Sequence, residues 1–335
     1  MVQPLTGSVD PTGNTTQAFA NLVGQPQAVE LLQSALQRDR IAPGYLFAGP
    51  AGVGRSLAAL GFAERLLAHH FQEPFSAARQ QRIAQRNHPD FLWIEPTYLH
   101  QGKRLSAAEA AEQGIKRRSP PQIRLEQIRE IATFLSRPPL EAPRAVVVVD
   151  DAHTMAEAAA NALLKTLEEP GRATLILIAP SVESLLPTLV SRCQRIPFRR
   201  LSTDDLATVL QHLGHDEILQ HPDLLALAQG SPGEAIAQWQ QRQSVPPDLL
   251  HAALQVPTSL RAALELARQI DQALDLEAQL WLVDYVQQAY WRSQQPAIHL
   301  ERMETARRHL LGYVQPRLVW EVTLMEIAAA AKSPS

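Results

Sequence analysis

Two clusters of residues in this chain have the types and spacing to act on a phosphate ester. The first is Gly49-Pro-Ala-Gly-Val-Gly-Arg-Ser56, which fits the pattern G-x-x-x-x-G-K-[ST] at every fixed position except the lysine. Its small residues, Gly49, Gly52 and Gly54, would let backbone N–H groups face a phosphate, and a helix beginning at Arg55 would add the positive end of its dipole. Ser56 is the hydroxyl suited to Mg²⁺. Arg55 stands where the pattern needs a compact ammonium, and a planar guanidinium does not act as a point charge there. Hydrolysis at this loop is therefore expected to be lost, with binding itself left open. The second cluster is Val146-Val-Val-Val-Asp150-Asp151, an apolar run ending in two carboxylates. Asp150 would hold water on a divalent ion, while Asp151 stands where a longer Glu would polarise attacking water, or else caps the next helix.

Strands and helices must place these residues. Tyr45–Ala48 is a short apolar run before the glycines, and Ser56–His69 returns to helical period, so the loop lies between strand and helix. Phe19–Gln37 carries helical spacing behind the turn Val23-Gly24-Gln25. Phe91–Ile94, Ala145–Val149 and Thr174–Ile178 read as strands, the latter two buried, and the unbroken apolar run of Ala145–Val149 predicts a parallel one. Ile123–Leu135, Met155–Leu167 and the short Leu185–Cys193 read as helices. Alternation of strands and helices predicts a three-layer α/β domain with a mainly parallel sheet. After Leu201 strand character disappears. The expected organisation is an N-terminal extension over 1–18, a P-loop α/β domain over 19–200, a small helical lid over 201–245 broken at Gly230–Gly233, and an all-helical domain over 246–335.

Composition narrows the classes. A net charge of −3 over 335 residues is no basic nucleic-acid coat. Cys193 is the sole cysteine, which excludes an internal disulfide and a thiolate zinc site. No apolar run reaches membrane-spanning length, and the opening segment lacks signal-peptide features, so a cytoplasmic protein is expected. Four lysines, Lys103, Lys116, Lys165 and Lys332, leave nearly all basic charge to arginine. His69 and His70 read as a helix end, His153 as a packing residue at a helix start, Cys193 as buried packing, and Lys103–Arg118 as an exposed loop.

Several segments resemble one family. Phe19-Ala-Asn-Leu-Val-Gly-Gln25 is similar to the way into the adenine pocket of AAA+ clamp-loader ATPases, which brings in Val23. Asn161–Pro170 is similar to the helix end that follows their acidic Walker B strand, and Ser191-Arg-Cys193 to their Ser-Arg-Cys motif. Asn87–Asp90 resembles the delta-prime branch. The likeness covers roughly 19–240 by motif. It implies that Arg192 is an arginine finger acting in trans on a neighbour's γ-phosphate. It implies sensor positions at Ala179 or Pro180 and at Gly233, none of which offers a side chain for a phosphate. The family's four-cysteine zinc module is missing from Phe71–Asn87. The implied function is a subunit of a replicative clamp loader, with gamma/tau and delta subunits, the sliding clamp and primer-template DNA as partners and no membrane. The expected ligand is ATP, ADP or phosphate held without turnover, with no zinc, and the helical C-terminus is expected in a collar. Arg124 and Arg129 are candidates for DNA phosphates or a solvated helix face. An active gamma/tau-type ATPase and a non-catalytic AAA+ adaptor outside replication are the alternatives.

Overall fold

A computed structural model describes residues 18–68, 76–112 and 120–330. The chain forms two compact units, residues 1–205 and 206–335.

In the first unit the apolar runs become strands of one parallel sheet. They are β1 (Gly44–Ala48), β2 (Phe91–Ile94), β5 (Ala145–Val149), β6 (Ala173–Ala179) and β7 (Gln194–Pro197), in the order β2-β5-β6-β1-β7. Every residue of β1, β5 and β6 is buried, as expected of strands covered on both faces. Alternation along β1 divides its side chains. Tyr45 and Phe47 meet Phe62 of helix α2 (Arg55–Leu66), with Tyr45 edge-on at 4.9 Å. Leu46 and Ala48 join Val147, Leu175 and Leu177 under helices α5 (Leu125–Leu135) and α6 (Glu157–Glu168). The three-layer P-loop architecture is thus present.

The helix read over Phe19–Gln37 is shorter in the structure, α1 (Pro26–Gln37), because Phe19–Leu22 turns. The stretch after Thr97 differs more. It forms a hairpin of β3 (Tyr98–His100) and β4 (Lys103–Leu105), turned through Gln101 and Gly102 at positive φ, and then α4 (Ala107–Glu112). Arg104 pairs with Glu130 of α5, and the described part of Lys103–Arg118 is strand and helix rather than loop, with Lys103 and Arg104 exposed as expected. His69, His70 and Lys116–Arg118 lie outside the described residues, as does the extension up to residue 17. His153 is exposed in a 3-10 turn (Ala152–Thr154), not packed, with its Nδ1 3.9 Å from an Asp151 oxygen.

Asn87–Asp90 proves to be a staple. Asp90 is buried, and its carboxylate accepts the backbone N–H groups of Leu140, Glu141 and Ala142, each at 2.7 Å. His88 Nδ1 accepts the Asp90 N–H at 3.1 Å, which marks that nitrogen as the unprotonated one. The loop after α5 is thereby tied to the start of β2 and β5. A short helix α3 (Ala77–Ala84) adds Arg79 to a buried pair, Glu64 and Arg65, on α2.

The second unit is helical throughout its described residues. After α8 (Thr203–His212) come α9 (Pro222–Ala228), α10 (Pro232–Ser244), α11 (Pro247–Leu254), α12 (Leu260–Ala273), α13 (Leu276–Arg292), α14 (Ala297–Leu311) and α15 (Pro316–Ala330). The Gly230–Gly233 break is real. Gln229 and Gly230 take positive φ, and Ser231 caps α10 by accepting the Glu234 N–H. The division drawn at 245–246 falls inside one continuous core, in which Leu224 and Val245 lie with Trp281, Leu282 and Trp320.

The staple gives a prediction. Burial alone would raise the Asp90 carboxyl, but the three N–H donors more than reverse this and hold it below its ordinary value. A depressed folded value contributes stability above the unfolded value near 3.9, lost as pH falls through the folded one. Asp90→Asn should therefore cost about 2–3 kcal/mol at neutral pH, since an amide cannot accept with both arms. Denaturant unfolding should show that cost shrinking below about pH 4. A cost that stays constant down to pH 2.5, or none at pH 7, contradicts the staple.

Candidate functional site

The carboxyl ends of the strands carry the phosphate loop and the acidic pair. β1 leads into Gly49, whose N–H donates to Ala179 O at 3.2 Å, and β1 and β6 end level, Ala48 opposite Ala179. The loop runs over Gly52 and Gly54 at φ 71° and 100°, a left-handed path open to glycine. A Cβ on Gly54 would also lie 2.6 Å from Leu22 Cδ1, so the Phe19–Gln25 segment closes directly on the loop. Gln25 secures that closure from a buried position. Its Nε2 donates to Val53 O at 3.3 Å and to Arg199 O at 2.6 Å, and its Oε1 accepts the Arg199 N–H at 3.0 Å. Val23, half-buried, sits between the two anchors Leu22 and Gln25.

Gly54 is the cap residue of α2 and has no side chain to spend on the helix, so the first-turn N–H groups of α2 receive no side-chain cap. Ser56 is half-buried on that turn. Arg55 is only 7% exposed, and its Nη1 has no hydrogen-bond partner. Burial pushes the Arg55 guanidinium below its ordinary value, with Asp151 and Asp150 pulling it back. Asp150 follows β5, its N–H donating to Ile94 O at 2.8 Å and its Oδ1 accepting the Asp151 N–H at 3.0 Å. Burial raises the Asp150 carboxyl and the Asp151 charge adds to the rise, against smaller opposing pulls from the Asp151 N–H bond and then from Arg55. Asp151 sits at φ 45°, a left-handed geometry that costs a non-glycine residue free energy, and makes no side-chain cap. The 3-10 turn is held instead by Thr154, whose Oγ1 donates to Asp151 O at 2.8 Å.

The sheet thus brings Gly49, Gly52, Gly54, Arg55, Ser56 and Asp150 to one strand end, with apolar Ala179 closing β6 beside them. Chemically this is a cradle of backbone donors and one buried cation, suited to an anion. Its neighbouring strand end supplies no hydroxyl or amide side chain. Gly233 lies in the other unit, as the second residue of α10.

Arg192 is at the opposite end of the sheet. It follows α7 (Pro187–Val190) and precedes β7, whose Gln194 pairs with Tyr45. Its carbonyl is near Gly44, the first residue of β1. Five residues of strand separate Gly44 from Gly49, about 16 Å at 3.3 Å per residue, beyond the reach of an arginine side chain. The side chain is 38% exposed and its guanidinium is bonded to its own chain, Nη1 to Thr188 O at 3.0 Å and Nη2 to Glu168 Oε1 at 2.6 Å. Cys193 is half-buried, and burial pushes its thiol up to about 12, so it stays an uncharged packing group. Among the described residues no group of His, Cys, Asp and Glu is arranged to hold a metal ion, and no helix is long and apolar enough to cross a membrane. Reading the sequence alone did not single out Gln25 as a latch or Glu168 as a partner of Arg192. Both lie inside motifs where only the neighbouring residues carried an obvious chemistry.

The chain resembles known proteins along its length. A family model described as DNA polymerase III, delta subunit, matches residues 24–202, just over half of the chain. A second, described as cyanobacterial DNA polymerase III delta prime, C-terminal domain, matches residues 204–327. DNA polymerase III subunit delta' of Bacillus subtilis is 33% identical over 185 residues, 53% of this chain and 48% of that protein. The Pseudomonas aeruginosa protein of the same name is 34% identical over 206 residues, 58% of this chain and 55% of its own length. The chain therefore spans about half the length of these curated relatives. Among solved structures, a gamma subunit-related protein of Thermotoga maritima superposes with a TM-score of 0.52 at 17% identity, covering 90% of this chain and 99% of that one. At that identity the likeness concerns the fold alone.

The buried charges predict a pH effect. Arg55 attracts Asp150 only while Asp150 is ionised, so the stability lost in Arg55→Ala should grow as pH rises from 3 to 7 and reach about 1 kcal/mol. Thermal unfolding of both proteins across that range measures it. A difference that shrinks with rising pH, or stays flat, means the pair does not interact.

Proposed function

This chain belongs to the family described as DNA polymerase III, delta subunit, and from that premise we propose that it is a delta-prime-like clamp-loader subunit that serves its neighbour's ATP site rather than its own. The observation that carries this reading is the placement of Arg192 across the sheet from the chain's own phosphate loop. An exposed arginine at that end has no nucleotide of its own chain to act on. In a ring of related subunits it is available as an arginine finger, contributing positive charge as the γ-phosphoryl group is transferred.

The chain's own loop supports the complementary half of the reading. The glycines and the uncapped start of α2 fit a phosphate group, and Arg55 Nη1 adds an unpartnered donor. A hydrolytic site fits less well. Arg55 replaces the compact cation, Asp151 puts a shorter carboxylate on a left-handed backbone where a Glu would polarise water, and Ala179 ends β6 without a polar side chain. The loop therefore holds phosphate, ADP or ATP without turnover, and Arg55→Lys alone does not create an ATPase. The partners of this reading are gamma/tau and delta subunits, with the sliding clamp and primed DNA reached through the assembly. The helical second unit is the part that joins the collar, in the cytoplasm.

The test is the assembled complex. Arg192→Ala should remove the ATP turnover of the one site it serves, a loss of about 10³-fold or more at that site. Size-exclusion chromatography should show assembly unchanged. Full turnover by the Arg192→Ala complex refutes the finger. DNA-stimulated turnover by the isolated chain would instead favour a gamma/tau-type ATPase.

A further inference from the structure

We propose that Glu168 is the positioning residue that aims Arg192 at the neighbouring subunit's nucleotide, an inference that rests on the finger reading above. Glu168 is the last residue of α6, and its Oε1 accepts from Arg192 Nη2 at 2.6 Å. Thr188 O accepts from Nη1 at 3.0 Å. Two points on the chain's own framework fix the plane of the guanidinium. A guanidinium carries five N–H donors, so most of them are left for a ligand approaching from outside.

The packing beneath shows why these two residues meet. Gly44 opens β1, and a Cβ there would lie 2.8 Å from Leu167 Cδ2, 3.0 Å from Cys193 Sγ and 3.3 Å from Arg192 O. Leu167 and Cys193 are the chain neighbours of Glu168 and Arg192. The missing side chain lets the end of α6 and the turn before β7 close together over the strand start. Their apolar residues face inward and their charged ones outward, side by side. Backbone bonds hold the turn itself, Arg192 N–H to Leu189 O at 3.1 Å and Cys193 N–H to Val190 O at 3.2 Å.

The ion pair is half-exposed on both sides, 38% and 51%, so it contributes little to stability. Its consequence is geometric. An arginine side chain has several rotatable bonds, and ordering it in the transition state costs conformational entropy unless something has ordered it beforehand. Glu168 does that in the free chain. The carboxylate is therefore a determinant of the rate at the neighbouring site, not of nucleotide affinity there.

The experiment measures ATP turnover against ATP concentration for the complex of the full chain with its gamma/tau and delta partners, using wild type, Arg192→Ala, Glu168→Ala and Glu168→Gln. Glu168→Ala should lower kcat at the served site about fivefold with KM for ATP unchanged within about twofold, because aim is lost while binding is not. Glu168→Gln, which keeps an acceptor, should recover part of that rate. The thermal midpoint should be the same in all four proteins. Wild-type kcat in Glu168→Ala beside a slowed Arg192→Ala overturns the positioning role and leaves the finger standing. A rise in KM with kcat intact overturns it too. Wild-type turnover by Arg192→Ala removes the finger reading, and this inference with it.

Discussion

Both functional ends of the first unit depend on one strand being hydrogen-bonded on both sides. β1 lies between β6 and β7, in register from Tyr45–Gln194 to Ala48–Pro197 on one side and from Gly44–Leu175 to Ala48–Ala179 on the other. With its backbone polar groups shared between two neighbours and its five side chains buried, β1 can neither slide nor tilt without exposing apolar surface on both faces. Its carboxyl end sets where the phosphate loop begins. Its amino end, through Gly44, sets where Leu167 and Cys193 pack and so where Glu168 and Arg192 emerge. The two ends are about 16 Å apart because the strand is five residues long. That length separates an anion cradle from an outward arginine and forbids one chain from using both on the same ligand.

The electrostatics of the two ends differ in kind. At the carboxyl end, Arg55, Asp150 and Asp151 are drawn together where burial penalises charge, raising Asp150 and lowering Arg55 from their ordinary values. Displaced values with an unpartnered donor suit a site that is complete only with an anion. At the amino end the charges of Glu168 and Arg192 are half-exposed and already partnered, which gives ready orientation at little energetic cost. The adjoining Cys193 thiol, pushed up to about 12, adds no competing charge.

Much of this was legible from residue order. The strand–glycine–helix succession, the apolar runs of β5 and β6 and the purely helical second half follow directly from periodicity, since full burial on both faces demands unbroken apolar runs. β7 was not legible, because an edge strand of sequence Gln-Arg-Ile-Pro buries Ile196 alone and reads as loop. The β3–β4 hairpin escaped for a similar reason, its residues being mostly exposed and its turn resting on a left-handed Gln101. Asn87–Asp90 was legible as a family signature but not as a staple, because its partners are fifty residues away in Leu140–Ala142. The site followed the same division. Gly49–Ser56 and Asp150 announce themselves by type and spacing, whereas Gln25 and Glu168 act through partners such as Arg199 and Arg192 that only the fold brings near.

As an arginine finger, Arg192 would lie against the γ-phosphate of a neighbour's nucleotide in the assembled complex. A photo-crosslinker tethered to the γ-phosphate of ATP, bound to the assembled complex, tests it most directly once the labelled peptides of this chain are sequenced. Label is expected on the Leu189–Arg195 segment, carried there from the neighbour's site. Label confined to Gly49–Ser56, with none around Arg192, would contradict it.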